Sequence, residues 1–315
     1  MRASNFEVTV IVVNFNQARF IKDAFTSIRN QTRPAEKVIV IDDGSDPTDV
    51  EYLRYLINET GIEIQSFIQD GKNLGISARL NQALNEVRTE WFLVLAADDA
   101  LLPNSIENLF EPATDSVDVV WGDLDVMDEQ GDSLGFSRPR DTWQGAVSTK
   151  YKTPNKPFKD LLKFNNFIPG GMTLIRTKTV VNAGGWDSII TTEDFDLWLR
   201  ISKTSQFLYI AKSVGKYRVV EGSKSRRDSH KLRDQALFLS KHAGQSKKTD
   251  RGIAYLAAMR WAFTVLRMRL IPDYSLNEMA RVIGVSPVTA WLQMPRAVAN
   301  PLYWSILARV KRLTK

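Results

Sequence analysis

Three runs of uninterrupted apolar, mostly β-branched residues, VTVIVV (residues 8–13), VIVI (38–41) and WFLVLA (91–96), constrain this chain more than any other feature. A strand without alternation has no polar face to offer to water, so it belongs inside a sheet covered on both sides. Between the runs lie stretches with apolar residues at helical spacing. Residues 18–30 carry Phe20, Ile21, Ala24, Phe25 and Ile28, and residues 48–58 and 77–87 also read as helices. Residues 63–68 read as a more exposed strand. Strands and helices alternating at these lengths predict βαβ units and a parallel sheet. Ligands of open α/β sheets gather beyond the carboxyl ends of the strands. Residues 14–16, 42–45 and 97–99 therefore share one edge, and acidic residues follow two of the three strands, at Asp42-Asp43 and Asp98-Asp99.

What this edge can do chemically is narrowed by composition. The chain has no cysteine, which excludes disulfides, thiol nucleophiles and cysteine-based metal sites. Its only histidines are His230 and His242, late in the chain, so a His-rich metal centre is excluded and a Ser-His-Asp triad has few ways to form. Carboxylates are the expected catalysts.

From residue 101 to 221 the pattern is less regular. Residues 117–122 are strand-like and lead into Asp123 and Asp125, and residues 138–157 read as a long polar loop. There follow Phe167-Ile168-Pro169-Gly170-Gly171, a strand at 172–175, a helix from about Thr177, and Gly184-Gly185-Trp186-Asp187. Residues 193–202 (EDFDLWLRIS) open a helix with carboxylates in its first turn, where the helix dipole favours them.

Charge is divided along the chain. Residues 1–221 hold 24 Lys+Arg against 31 Asp+Glu, a net of −7, whereas residues 222–315 hold 18 against 5, a net of +13. A basic tail of this kind points to a negatively charged partner, lipid headgroups or nucleic acid. No apolar run approaches the ~18–20 residues of a membrane span, and residues 1–13 are too short and strand-like for a signal peptide. The expectation is a cytoplasmic protein.

Eight segments occur together and in a recognisable order: VTVIVVNFNQARFIKDAFTSIRNQT, VIVIDDGSD, KNLGISARLNQAL, WFLVLAADDALLP, GDLDVMDEQGD, IPGGMTLIR, GGWD and TEDFDLWLRIS. Over residues 8–221, roughly two-thirds of the chain, they resemble the family 2 glycosyltransferases. The resemblance implies an α/β fold of the GT-A type, a Rossmann-like nucleotide-binding half with a mixed central sheet, followed by the basic helical C-terminal region. It divides the chain into a catalytic domain at 1–221 and the tail at 222–315. The nucleotide-sugar half is expected at about 1–100 and the acceptor half at 101–221.

The same resemblance implies roles for two carboxylate pairs. A nucleoside diphosphate leaving group needs its charge neutralised as the glycosidic bond breaks, which a hard divalent ion, Mg²⁺ or Mn²⁺, does through carboxylate oxygens. The family's Asp-x-Asp element reads Ala96-Ala97-Asp98-Asp99 here, so Ala96 stands in place of the first Asp. Asp98 is implied near the ribose and Asp99 on the metal; the alternative for Asp99 is the N-cap of a following short helix. Asp43 matches the residue that accepts a hydrogen bond from the base, often uracil, and Phe15 the aromatic that lies against it. A turn-forming Asp and a core aromatic are the alternatives. Arg79 matches a position near the nucleotide, or is an uninvolved helix-surface arginine. In the second pair, Asp194 matches the general base that takes the acceptor hydroxyl's proton, and Glu193 the neighbour that shapes the acceptor site. Asp196, about 200° further round the helix, should not share that face. Trp198 lies on the face of Asp194, either stacking on an acceptor sugar or filling the core. One base opposite the leaving group implies a single displacement with inversion, by analogy with inverting hydrolases.

The implied partners are a nucleoside diphosphate sugar, a UDP-sugar first, and a glycan or lipid-linked acceptor in cell-surface polysaccharide assembly. Residues 251–270 form an amphipathic basic pattern, and residues 301–315 combine Trp304 and several aliphatics with Arg309, Lys311, Arg312 and Lys315. Such a helix lies on an anionic membrane surface or packs on the enzyme; both readings stand. Two rival readings stand beside this one. Residues 275–291 follow a helix-turn-helix pattern that would suit DNA, a partner with no evident place beside a nucleotide-sugar site. A sugar nucleotidyltransferase shares the sheet but usually opens with a Gly-rich phosphate loop, and none follows Val13.

Overall fold

The computed structural model describes residues 7–220, apart from residues 165 and 191. They fall in one unit of the chain, Met1–Ser223. The basic region with its amphipathic, membrane-surface and helix-turn-helix patterns lies outside the described residues.

The apolar runs become the middle of a sheet. Strand β1 (Val8–Asn14) lies between β2 (Lys37–Asp42) and β4 (Trp91–Ala96), parallel to both, and β3 (Ile64–Ile68) adds to the far side of β2. The register sets Asn14 beside Asp42 and Val13 beside Ala96, so the three polar strand ends finish level with one another. Helix α1 (Ile21–Arg29) buries Ile21, Ala24, Phe25 and Ile28, the i, i+3, i+4, i+7 stripe that its sequence spacing requires. Helix α2 (Pro47–Glu59) starts with a proline in its first turn, where the missing N–H costs nothing, and α3 (Ile76–Leu84) precedes β4.

Beyond β4 the sheet turns mixed. In chain order come β5 (Ala100–Leu101), α4 (Ser105–Phe110), β6 (Val119–Met127), β7 (Ser133–Arg138), α5 (Trp143–Ser148), a 3₁₀ turn at Thr149–Tyr151, and α6 (Phe158–Phe164). They are followed by β8 (Leu174–Arg176), α7 (Thr177–Asn182), α8 (Glu193–Ile201) and β9 (Phe207–Arg218). Among the described residues the nine strands form one sheet in the order β3-β2-β1-β4-β8-β6-β9-β5, with β7 on β6. The short β8 runs antiparallel to both β4 and β6, and so joins the parallel half to the rest.

Two expectations are corrected here, and one strand is added. The strand at 117–122 does not stop at Gly122: β6 continues through Asp123 and Asp125, whose carboxylates accept hydroxyl protons from neighbouring strands, Asp123 from Tyr209 at 2.8 Å and Asp125 from Ser137 and Ser213 at 2.5 and 2.7 Å. Residues 138–157 are not one loop, since they contain α5 and the 3₁₀ turn. Aromatic packing pins that segment: Trp121 lies 5.9 Å from Tyr151 and 6.3 Å from Phe167, and Tyr151 stacks on Phe167 at 5.6 Å. The twelve-residue β9 was not anticipated at all. Its polar middle alternates poorly, yet it pairs with β6 along most of its length. No helix among the described residues is long and apolar enough to cross a membrane.

Two glycines after α7 turn the chain toward α8. Gly185 has φ +75°, and a Cβ there would collide with the side-chain carbonyl of Asn81. Gly185→Ala should therefore cost about 1–3 kcal/mol, from left-handed backbone strain and displacement of Asn81. In urea unfolding the midpoint should fall with an unchanged slope; an unchanged midpoint would refute this account of the turn.

Candidate active site

The carboxyl edge is assembled from side chains that cap main-chain N–H groups. Asn14 ends β1 fully buried, and its amide donates to Asp42 at 2.8 Å and Asp49 at 2.7 Å. Asp42 then accepts the N–H groups of Gly44 and Ser45, and Asp49 that of Ala18. The turn-forming aspartate after β2 is thus Asp42.

Asp43 has a different task. It is 2 % exposed and accepts N–H bonds from Leu74 at 2.8 Å and Gly75 at 3.1 Å, with Arg79 Nε at 3.3 Å. Arg79 is wholly buried and also donates to Asp70 at 2.5 Å and to the Lys72 carbonyl. Burial opposes its charge, but the bonds to Asp70 and Asp43 hold the guanidinium above its ordinary pKa. Arg79 is therefore not a helix-surface arginine; it reaches this edge through Asp43 and the 70–75 loop. Phe15 is half-buried immediately after β1.

At the end of β4, Ala96 accepts a hydrogen bond from Asp99 N at 3.1 Å, closing a turn that holds Asp98 and Asp99. Asp99 is 5 % exposed and takes the N–H of Arg218 at 2.9 Å, while Arg218 Nε donates to the Asp98 carbonyl at 2.8 Å. Arg218, buried at the end of β9, also pairs with Asp23 and lies over the Phe20 ring. Burial, and after it the Asp98 charge, pushes the Asp99 carboxyl well above the usual range, against the opposing pull of Arg218. Burial raises Asp98 as well, moderated by its own backbone N–H, the Gln17 amide and Arg218. With its amide turned to donate, Gln17 reaches the two Asp98 oxygens at 2.8 and 3.1 Å. Asp99 caps no helix, because β5 follows it directly and α4 begins only at Ser105 after Asn104.

The second pair opens α8. Glu193 and Asp194 are half-buried in its first turn. A Cβ on Gly170 would lie 2.9 Å from both Cβ and Oδ2 of Asp194, so only glycine lets the 170–172 segment approach this closely. That segment is tied to β4, because Met172 N donates to the Val94 carbonyl at 2.7 Å. Gly170 against Asp194 and Met172 on Val94 thus join the start of α8 to β4, the strand whose end carries Asp98 and Asp99. Its Oδ2 accepts from Asn166 at 2.8 Å and its Oδ1 from Phe195 N at 2.7 Å.

Two neighbours on α8 resolve into the core. Asp196 is fully buried and paired with Arg200 at 2.7 Å, off the Asp194 face as expected. Trp198 is 1 % exposed and packs edge-on against Phe207 at 6.0 Å, so the sugar-stacking reading gives way to the core reading.

Helix α3 links the two regions. Asn81 makes a reciprocal pair with the Trp186 main chain, donating to its carbonyl and accepting from its N–H, both at 2.8 Å. One turn earlier Ser77 Oγ reaches the Ile190 carbonyl at 3.4 Å. The helix whose Arg79 holds Asp43 therefore also holds the loop leading into Glu193-Asp194. Sequence reasoning passed over Asn81, Asn166, Gln17 and Arg218. For Asn81 a signal existed, as Ser77 and Asn81 are polar residues one turn apart on the same face of a helix.

The residues present fit a divalent ion in one respect. Adjacent Asp98 and Asp99 concentrate negative charge where burial penalises it, and a hard cation relieves that penalty. No group of three or more acidic or histidine side chains suited to a metal converges among the described residues, so within them an ion at this turn would meet one or two carboxylates. That leaves coordination positions for phosphate oxygens and water.

Comparison with known proteins gives the family and the fold. The model of the Glycosyl transferase family 2 matches residues 9–181. An uncharacterized glycosyltransferase of Methanocaldococcus jannaschii is 26% identical over 67% of this chain and 70% of its own length. One of Rickettsia bellii is 27% identical over 88% of this chain, but over only 40% of its own length. Among solved structures, the mannosyltransferase PcManGT from Pyrobaculum calidifontis, in complex with GDP-Man and Mn²⁺, superposes with a TM-score of 0.61 at 18% identity, covering 98% of this chain and 88% of PcManGT. Residues 1–349 of S. aureus TarS, in complex with UDP, give a TM-score of 0.58 at 13% identity over 88% of this chain and 78% of that one. The mixed sheet is that of the GT-A glycosyltransferases. With a family match over more than half of its length, the chain belongs to glycosyl transferase family 2 and is an enzyme of glycosyl transfer.

Proposed function

We propose that the enzyme moves a sugar, with inversion, from a nucleoside diphosphate sugar to a glycan or lipid-linked acceptor in cell-surface polysaccharide assembly. The observation that carries this reading is the approach of Gly170 to Asp194, which ties a helix-start carboxylate to β4, the strand that leads into Asp98-Asp99. An acceptor hydroxyl attacks the anomeric carbon as Asp194 takes its proton. The bond from that carbon to the diphosphate oxygen breaks, and its electron pair leaves with the nucleoside diphosphate. Glu193 shapes the acceptor side. A divalent ion, Mg²⁺ or Mn²⁺, when bound at Asp99, supplies neutralisation of the charge on the departing diphosphate.

Phe15 offers a flat face to the base, and Asp98 faces the ribose. Asp43 serves the base while Arg79 keeps it and the 70–75 loop in place. A UDP-sugar is the first donor to try. PcManGT is solved with GDP-Man and TarS with UDP, so a nucleotide-sugar panel should carry both bases. The basic C-terminal region, with 18 Lys+Arg against 5 Asp+Glu, supports an acceptor presented at the inner face of an anionic membrane.

Three measurements test the reading. Asp194→Asn keeps size and hydrogen-bonding reach but cannot take the hydroxyl proton, so kcat should fall by about 10²–10⁴ with donor binding unchanged. NMR of the product should show an α-linked donor giving a β-linked product, or the reverse; retained configuration would exclude single displacement. If instead Glu193→Gln collapses turnover while Asp194→Asn is near normal, the base is Glu193.

Asp99→Asn should abolish the Mn²⁺-dependent part of the thermal shift produced by the nucleotide donor, and lower turnover by about 10²–10³-fold. An unchanged divalent-ion response would remove Asp99 from the metal. Deleting residues 301–315 should weaken co-sedimentation with anionic liposomes, as should raised salt. Equal sedimentation of the full and shortened chains would dismiss the membrane role of that segment.

A further inference from the structure

Asp194 is not held by its own helix alone. Asn166 Nδ2 donates to Asp194 Oδ2 at 2.8 Å. The orientation of that amide is fixed by its other end, where Oδ1 accepts the N–H of Ile168 at 3.2 Å, which leaves only the NH₂ to face the carboxylate. The Asn166 main chain is anchored too: its carbonyl accepts from Gln144 Nε2 at 2.8 Å, and the next residues, Phe167 and Ile168, are 1 % and 2 % exposed. Gly170 closes on the same carboxylate from a later point of the segment.

From this arrangement we propose that Asn166 is the positioning residue of Asp194, fixing the plane of its carboxylate and favouring the anion that accepts the hydroxyl proton. The inference rests on the reading of Asp194 as the general base. A neutral donor to a carboxylate favours its charged form, and a second carboxylate at the same distance disfavours it. Asn166 touches neither donor nor acceptor in this account; it acts through Asp194.

The decisive variant is Asn166→Asp. It keeps the oxygen that accepts from Ile168 N, so the turn survives, but replaces the donor to Asp194 with a like charge. The acid limb of the kcat–pH profile should move up by about one unit or more. On the acid side of the profile kcat should drop by about tenfold per unit of that shift, while KM and thermal shift for the nucleotide donor stay put. Asn166→Ala should move the limb the same way by less. In the Asp194→Asn background neither change should lower the residual rate further.

An unmoved acid limb in Asn166→Asp, beside an inactive Asp194→Asn, overturns the role of Asn166 and leaves the base assignment standing. A lowered kcat with an unmoved limb and a reduced melting temperature also overturns it, as a merely structural effect. Near-normal turnover of Asp194→Asn would instead remove the base assignment, and this inference with it.

Discussion

Buried carboxylates at the carboxyl edge of a sheet must be given donors, and the rest of this structure is arranged around that requirement. A carboxylate taken out of water without hydrogen bonds would cost several kcal/mol or would simply hold its proton. Asp42, Asp43 and Asp99, with the half-buried Asp49, accept main-chain N–H groups: from Gly44 and Ser45, from Leu74 and Gly75, from Arg218, and from Ala18 respectively. Each bond also fixes a loop. The 43–45 turn, the 70–75 loop and the end of β9 are thereby placed about one edge with little regular structure of their own. The acidic strand ends build the edge before they can act on a ligand there.

This dual use bears on how loss-of-function variants are interpreted. Arg79 lies fully buried between Asp43 and Asp70, so removing it leaves a buried carboxylate without its cation, a change that typically costs about 3–5 kcal/mol. Loss of activity on changing Arg79 would not imply contact with the nucleotide. Asp99 stands at the other extreme. Its carboxyl is raised well above the ordinary range by burial and by Asp98, which means that the fold leaves negative charge there only partly compensated. A cation there would relieve that penalty, whereas the fully paired Asp43–Arg79–Asp70 group would gain little from one.

The legible parts of the sequence were those whose partners lie nearby or whose burial is complete on both faces. The runs at 8–13, 38–41 and 91–96 could be nothing but central strands, and their ends gave the edge. EDFDLWLRIS opened a helix at Glu193, where α8 begins. What escaped notice depends on distant partners. Asp123 and Asp125 read as residues that follow a strand until Tyr209 and Ser213, 86 and 88 positions later, donate hydroxyl hydrogen bonds to them. For the same reason β9 was invisible: its middle, Ala211-Lys212-Ser213, reads as polar chain unless β6 is already beside it. Trp198 misled in another way. Helical arithmetic put it on the face of Asp194, but α8 is buried almost all round from Phe195 onward, so a shared face there does not mean shared access to solvent.

Helix α3 gives the two halves of the site a common reference. Arg79 faces Asp43, while Ser77 and Asn81 hold the loop that enters α8, all within two turns of one rigid element. A displacement of α3 would move the Asp43 loop and the Trp186 turn together rather than separately. From the opposite side, the 170–172 segment ties Asp194 to β4 through Val94, two residues before Ala96. Backbone bonds and a glycine contact therefore connect α8, where Asp194 lies, to the strand that leads into Asp98-Asp99. Such a link tolerates Ala96 where the family pattern has a carboxylate, because the turn is closed by the Asp99 N–H on the Ala96 carbonyl and never needed the missing side chain.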